Sequence, residues 1–587
     1  MGNPIIRERY KACCRRPSPD VTTTLHFPPM PDTNTDLFSG SPRFADTRLA
    51  AMALAGNTAS AWREALKGDP KSAMAGVTGD FAVALHDTAG RTFLAVDRFA
   101  IRSLCYCLGN GQLRFAERAD LLADASTEID PQAIFDYLYF HVIPSPRTIY
   151  KGIYRLPPGH YALFENGRLN VAPYWVPTFE EQRSASFGAL KDEFRQLLRD
   201  AVATQLDGGK PACFLSGGTD SSTIAGMAAR ASGKTVSTYS IGFDAQGYDE
   251  MEFARIAAKH FQTEHHEYYV TPDDLVRGIP SVAAYYDQPF GNSSALPAYY
   301  CAKMARDDGV SKLLAGDGGD ELFGGNTRYA KQKVFGWYGG VPAALRTGLL
   351  EPMSRLSVMN QVPLVRKGAS YVNQARVPMP DRLMTYNLLF RLGVENMLTP
   401  RLLAQVDQQD PARQQRSVWA QAHTGSLVNR MLAFDWRYTL ADCDLPKVVG
   451  TTHLAGVGVG FPMLDDRLLA FSLKLPTHYK LKGFQLRWFF KEALRGFLPD
   501  EIISKKKQGF GLPFGVWANS HPALKALATD SLHGLAKRGV VRTNFVQALL
   551  TQRLPEHPGY YGEMVWILMM LEQWLTAKAP RFSLANP

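Results

Sequence analysis

The sequence predicts an α/β protein in two parts: a first part built on hairpins, and a larger second part in which a parallel sheet gives way to helices. Three observations predict it. Apolar residues alternate through Gly79-Asp-Phe-Ala-Val-Ala-Leu85, break at Asp87-Thr-Ala-Gly90 and resume at Thr92-Phe-Leu-Ala-Val96, which is the pattern of a hairpin. From Phe187 to about Gly325, helical patterns alternate with short continuous apolar runs of the kind a strand buried on both faces requires. Beyond Gly325 the apolar residues recur at helical period through Leu388 to Leu398, Leu427 to Leu440, Leu468 to Leu475 and Tyr561 to Leu575.

Residues 11 to 45 hold many Pro, Ser, Thr and Asp without period and predict an irregular start, residues 1–45. Further strands are expected at Leu104 to Leu108 and Tyr161 to Phe164. The polar stretch Thr178 to Ser186 reads as a linker between a unit at 46–177 and one at 187–580. Composition is that of a soluble globular chain, with 587 residues, 45% hydrophobic and 20% charged. The longest strongly apolar run, Val565 to Leu571, falls far short of the ~20 residues a membrane span requires. The start shows no hydrophobic signal region, and Ile6 stands where a myristoylation motif wants Ser or Thr, so a cytoplasmic protein without a membrane partner is expected. The formal charge is +10, but the tight basic run is confined to Lys505 to Lys507, so no nucleic-acid partner is expected. Seven cysteines form no C-x-x-C pair and read as reduced thiols, with Cys213 and Cys301 buried.

The stretch that organises the chain is Pro211-Ala-Cys-Phe-Leu-Ser-Gly-Gly-Thr-Asp-Ser-Ser222, a strand, a Ser/Gly loop and the start of a small-residue helix. Gly217 and Gly218 let backbone N–H groups approach an anion, and the helix points its positive end at the same spot. That dipole supplies roughly 0.3–1 kcal/mol, so a triphosphate needs metal-binding carboxylates and cationic side chains as well. A second loop of the same build, Leu313-Leu-Ala-Gly-Asp-Gly-Gly-Asp-Glu-Leu-Phe-Gly-Gly325, brings three carboxylates. The strands ending at Leu215, Ile241 and Ala315 should converge on one nucleotide, since ligands of open parallel sheets bind at the carboxyl ends of strands.

Ser216-Gly-Gly-Thr-Asp-Ser221, Gly316-Asp-Gly-Gly-Asp-Glu-Leu-Phe-Gly-Gly325 and Lys507-Gln-Gly-Phe-Gly-Leu-Pro513 resemble, in order, three signatures of the asparagine synthetase family. Its synthetase domain is a PP-loop ATP pyrophosphatase. Gly79-Asp-Phe-Ala82, Asp97-Arg-Phe99 and Leu156-Pro-Pro-Gly-His160 resemble the later part of its glutaminase domain, an Ntn-hydrolase-like αββα sandwich. The resemblance implies Mg-ATP in the loops, with Leu215, Ser216, Gly217, Gly218, Asp220, Ser221, Ile241, Ala315 and Gly316 around the nucleotide and Asp220 and Asp320 on the metal. Asp317 matches the acidic position tied to the acyl-adenylate, where most members carry Glu. Arg487 stands where the family has a pyrophosphate-binding lysine, and Lys491, one helical turn on, is the alternate. An acidic and a basic residue expected either side of Val459 are replaced by Gly458 and Gly460.

The implied activity is an ATP-dependent carbon–nitrogen ligase that adenylates a carboxylate and passes it to ammonia or an amine. Aspartate going to asparagine is the default, and a peptide or other small carboxylate comes next. The family's glutaminase uses a cysteine at the mature N-terminus, whereas position 2 here is Gly and the nearest thiols are Cys13 and Cys14, so the first unit is expected to be a degenerate cover. Other readings are a β-lactam synthetase-like or lasso-peptide-like cyclase, a PP-loop RNA-modifying enzyme and a non-catalytic scaffold. A homodimer is the assembly expected. Glu321, Asp249 and Glu250 read as helix-start acids, and His265 and His266 as packing residues.

Overall fold

The computed structural model describes residues 35–584 except 88–89, 110, 183–184, 207, 355–362 and 506–510. Its first unit carries strands β1 (Leu37–Gly40), β2 (Arg43–Phe44), β3 (Val77–Thr78), β4 (Phe81–His86), β5 (Thr92–Val96), β6 (Cys105–Gly109), β7 (Gln112–Ala116), β8 (Ile153–Arg155), β9 (His160–Glu165) and β10 (Arg168–Pro173). Five of them make an antiparallel sheet in the order β1-β4-β5-β9-β10, and three make a second sheet in the order β7-β6-β8. Strand alternation explains the layering. Phe81, Val83, Leu85, Phe93 and Ala95 pack around Trp62 on one face of the first sheet, against helices α1 (Thr47–Leu54), α2 (Thr58–Ala65) and α3 (Pro70–Ala75). Ala82, Ala84, Leu94 and Val96 on the other face meet Tyr106, Leu113 and Phe115 of the second sheet. The far side of that sheet, Cys105, Ala116 and Ile153, packs with α4 (Pro131–Phe140). The result is an αββα sandwich. Residues 37–40 and 43–44 lie within the stretch expected to be irregular; their pairing partners, 81–84 and 77–78, are remote in sequence, so local composition did not signal them.

Asp97 locks the sandwich edge. It is 2% exposed and accepts backbone N–H groups from Phe81, Phe99, Ile101 and Arg102. Burial pushes its carboxyl up to about 7 against those hydrogen bonds. The neighbouring Arg98 reaches Asp466 of the second unit, whose carboxylate also takes the Gly79 N–H at 2.7 Å.

The second unit begins with α5 (Phe187–Gln205) and alternates β11 (Ala212–Phe214), α6 (Thr219–Ser232), β12 (Ser237–Phe243), α7 (Met251–Phe261), β13 (Glu264–Val270), α8 (Pro272–Tyr285), α9 (Ala295–Asp307), β14 (Lys312–Leu314) and α10 (Gly319–Phe323). With β15 (Gly458–Gly460) the strands form a wholly parallel sheet, ordered β13-β12-β11-β14-β15. Phe194 of α5 is fully buried against Phe323, Phe471, Phe489 and Phe490, tying the sheet to the later helices. The most apolar run, 565–571, lies in the helix Pro558–Lys578, which is core on nearly every side. The stretch 388–398 is two short helices rather than one, because Gly393 sits at φ +88° with Asn396 folded against it. No helix among the described residues is long and apolar enough to cross a membrane.

Candidate active site

Two glycine-rich loops leave adjacent strands and touch backbone to backbone. A Cβ on Gly316 would stand 2.7 Å from the Ser221 nitrogen, and one on Gly217, at φ +69°, would stand 2.5 Å from the Ala254 nitrogen. Only glycine fits either place. Within the first loop the Ser216 N–H donates to Ser221 Oγ at 3.1 Å, the two hydroxyls lie 3.0 Å apart, and the Ser240 hydroxyl donates to the Leu215 carbonyl. The ends of β11, β12 and β14 therefore bring Leu215, Ile241 and Gly316 to one wall, as the adjacency of the strands requires, while Ala315, expected there too, is buried just behind it.

The carboxylates of Asp220 and Asp320 converge on a single cation, the guanidinium of Arg487. Its Nη1 lies 2.9 Å from Asp220 Oδ2 and 2.6 Å from Asp320 Oδ1, and its Nη2 donates to the other oxygen of Asp220. Arg487 is 6% exposed and stacks 4.1 Å from the Phe490 ring centre. Burial alone would lower its pKa, but the two aspartates outweigh burial and hold it above its ordinary value. Glycines shape this cradle too. A Cβ on Gly319 would stand 2.2 Å from Asp220 Oδ1, and one on Gly325 would overlap Asp320 Oδ1.

Lys491 stands one helical turn on from Arg487 as expected, its N–H donating to the Arg487 carbonyl at 3.0 Å, and both line one chamber, but Arg487 is not in the helix itself. Arg487 precedes the helix Trp488–Leu494 as its cap, at φ +56°, after the tight hairpin β16 (Leu481–Lys482) and β17 (Gln485–Leu486). The left-handed backbone turns its side chain into the aspartates, while Lys491, on the helix proper, lines the chamber beyond. Burial, followed by the Arg487 charge, lowers the Lys491 pKa.

Two chambers meet at this point. The larger, about 770 Å³, is walled by Glu250, Arg487, Lys491, Arg495 and Lys505; the smaller, about 310 Å³, is walled by Ile241, Asp317, Glu321, Asp444 and Lys447. Ser216, Asp220 and Asp320 line both. Glu250, read as a helix-start acid, pairs with Lys505 at 2.8 Å, and the same ammonium lies 4.2 Å from the Phe253 ring centre. His266 stacks on Tyr239 at 4.8 Å, a packing role, and the described residues hold no cluster of three or more metal-binding side chains.

Sequence reasoning missed Lys447. Its ammonium is 2.9 Å from Asp444 and 3.8 Å from Asp317, and both acids hold its pKa up against burial. Burial raises Asp317, and Lys447 opposes that rise. A π-type stretch, Trp436–Asp444, precedes the helix Leu445–Ala455, and its wide turns set where Asp444 and Lys447 emerge. A signal did exist: Lys447 is the one Lys or Arg in the run from Leu445 to Leu464.

Residues 193–576 match the profile of the family described as asparagine synthase, and residues 64–175 match a glutamine amidotransferase domain. The chain belongs to the asparagine synthase family. It is 26% identical over 427 residues to asparagine synthetase [glutamine-hydrolyzing] 1 of Bacillus subtilis (strain 168), a match spanning 72% of this chain and 66% of that one. It is 27% identical over 459 residues to a putative asparagine synthetase [glutamine-hydrolyzing] of Mycobacterium bovis, spanning 76% and 69%. It is also 24% identical over 546 residues to amidase chyE of Penicillium rubens, spanning 81% and 75%. The asparagine synthase match contains both loops, Arg487 and Lys447. Cys13, Cys14 and the start of the third signature, 507–510, lie outside the described residues. In the amidotransferase-like part the described cysteines are Cys105 and Cys107. Burial pushes the Cys105 thiol up to about 11 and raises Cys107 as well.

Proposed function

We propose that this asparagine synthase family member is an ATP-dependent amide-bond synthetase, which adenylates a carboxylate with release of pyrophosphate and passes the acyl group to ammonia or an amine with release of AMP. The observation that carries this reading is the meeting of two chambers at Asp220 and Asp320. Cleavage between the α- and β-phosphates needs the nucleotide on one side of the phosphate-binding carboxylates and the leaving anion on the other.

The carboxylates fit Mg²⁺. They already converge on one cation, in a cradle of glycines that any Cβ would fill, and magnesium takes few protein carboxylates when phosphates and water supply its other oxygens. Bound at Asp220 and Asp320, the ion would neutralise phosphate charge. The chain does the rest. The loop N–H groups and the start of α6 hold phosphate oxygens. Arg487, freed from the aspartates, takes the leaving pyrophosphate, with Lys491 and Lys505 behind it on the same wall. Asp317, raised by burial, accepts a proton from the incoming ammonium or amine while Lys447 fixes its position.

The nitrogen donor in this reading is free ammonia or an amine rather than glutamine. A thiol-dependent glutaminase needs an activated thiolate, and burial raises both described cysteines of this unit, Cys105 and Cys107. Residues 46–177 then serve as a packed cover on a catalytic unit at 187–580. ATP–pyrophosphate exchange against a panel of carboxylic acids tests adenylation without any nucleophile; no exchange with any acid overturns it. Glutamate release from glutamine, matched to AMP formation and lost in Cys13→Ala or Cys14→Ala, would overturn the donor assignment.

A further inference from the structure

The cation that bridges Asp220 and Asp320 belongs to the chain itself. Arg487 Nη1 lies 2.9 Å from Asp220 Oδ2 and 2.6 Å from Asp320 Oδ1, and Nη2 donates to Asp220 Oδ1, so the guanidinium holds the same oxygens that would ligate a metal. The carboxylates rest against Gly319 and Gly325, where a Cβ would collide with them. A guanidinium and a metal ion cannot both occupy the place between them. Nor is the arginine fully satisfied there: its Nε is buried and has no hydrogen-bond partner among the described residues, an orphaned donor of the kind that burial makes costly.

Vacating that place takes a movement of the side chain and not of the backbone. Residue 487 is pinned on both sides, its N–H donating to the Lys480 carbonyl at 2.9 Å and its carbonyl accepting the Lys491 N–H at 3.0 Å. The side chain lines the larger chamber of about 770 Å³, so the guanidinium has room to swing into it. What it would not meet there is an open carboxylate. Of the other acids on that wall, Glu250 faces Lys505 at 2.8 Å, Glu492 faces Arg495 at 2.8 Å, and Asp500 faces Arg495 at 3.8 Å. Lys491 is a like charge on the same wall, and the Arg487 charge already lowers its pKa. A bare divalent ion would therefore drive one cation toward another. A metal chelated by a polyphosphate brings with it the anion that receives the guanidinium.

We propose that Arg487 is a built-in stand-in for the metal, which holds Asp220 and Asp320 against free divalent cations and yields them only to a metal–polyphosphate complex. The inference rests on the adenylation reading and adds to it the form in which the metal enters, as a chelate and not alone. It also joins two events. The arginine is released into the larger chamber, where the leaving pyrophosphate is assigned, only when metal and nucleotide have arrived together.

The test uses Mn²⁺, which suits the same carboxylate oxygens and reports its own binding by electron paramagnetic resonance. Full-length protein is titrated with Mn²⁺ alone, and again with Mn²⁺ and α,β-methylene-ATP, which cannot be cleaved between its α- and β-phosphates. Up to about 1 mM, Mn²⁺ alone should show no binding that Asp320→Asn removes, and the analogue should tighten such binding by at least about tenfold. Arg487→Met should bind Mn²⁺ alone at least about tenfold tighter than the unaltered chain, again with loss in the added Asp320→Asn. Its Tm without metal should fall by about 3 °C or more and recover when Mn²⁺ is added. Arg487→Gln serves the same purpose should the first variant not fold. If Mn²⁺ alone occupies the aspartates of the unaltered chain as tightly as with the analogue, or if neither variant gains Mn²⁺ affinity, the stand-in role falls and adenylation stands. If Mn²⁺ and the analogue together fail to bind, the adenylation reading falls with it.

Discussion

Asp97 in the sandwich and Asp320 in the parallel-sheet unit are both enclosed acids beside tight turns, yet they are held in opposite ways. Four backbone N–H groups grip Asp97, so its position is fixed for as long as the chain is folded. Asp320, like Asp220, is met by a guanidinium at the end of a side chain, carried by a residue just past a hairpin. A partner on a rotatable side chain can be exchanged for a ligand; a partner in the backbone cannot. The first arrangement makes structure and the second makes a site.

The sharpest way to break this contrast is to remove each charge. Asp220→Asn or Asp320→Asn should cut pyrophosphate exchange by ~10³-fold or more while thermal unfolding shifts little. Near-normal exchange at saturating Mg²⁺ would sink the metal assignment. Arg487→Ala should slow exchange by at least about tenfold, a step of ~1.4 kcal/mol, with a smaller change in ATP affinity, and Lys491→Ala should cost less because it stands farther along the wall. If neither slows exchange, the pyrophosphate role is wrong.

Asp97→Asn should do the reverse. It should lose about 1–3 kcal/mol of stability, read as a lower Tm, and keep its exchange rate per folded molecule. A catalytic loss without a Tm change would erase the distinction between the two aspartates.

An effect confined to alkaline pH concerns Lys480, fully buried, whose ammonium donates to Asn429 Oδ1 at 3.0 Å and whose carbonyl takes the Arg487 N–H. Burial lowers it to about 7, against the pull of Glu181. Above that pH the unfolded chain binds the extra proton, so Lys480 adds a rise in stability of up to about 1.4 kcal/mol per pH unit between about pH 7 and its ordinary value, flat below. Lys480→Met should flatten that rise in denaturant titrations; an unchanged slope refutes the shift.

These residues also mark what the sequence could reveal. Both glycine loops were legible because each gathers its glycines and acids within a dozen residues, although only the left-handed turn at Gly217 is a local demand and the contact that requires Gly316 is made with Ser221 of the other loop. The spacing of Arg487 and Lys491 put both on one chamber, but a period of four could not show that residue 487 caps the helix at a positive φ, just past the hairpin before it. Lys447 was hidden by a π-type turn, which breaks the register that a 3.6-residue period assumes. Strands at 37–40 and 43–44 depend on partners some forty residues away, beyond any local pattern.

The grip of Gly79 and Arg98 on Asp466 reaches farther than a surface contact. Asp466 stands two residues past the turn Pro462–Leu464, and Leu464 lies so close beneath Gly318 that a Cβ there would stand 2.3 Å from its methyl group. The sandwich thus leans, through one turn, on the loop that carries Asp317 and Asp320. Whatever chemistry the sandwich carries of its own, it is also part of the mounting of its neighbour's carboxylates.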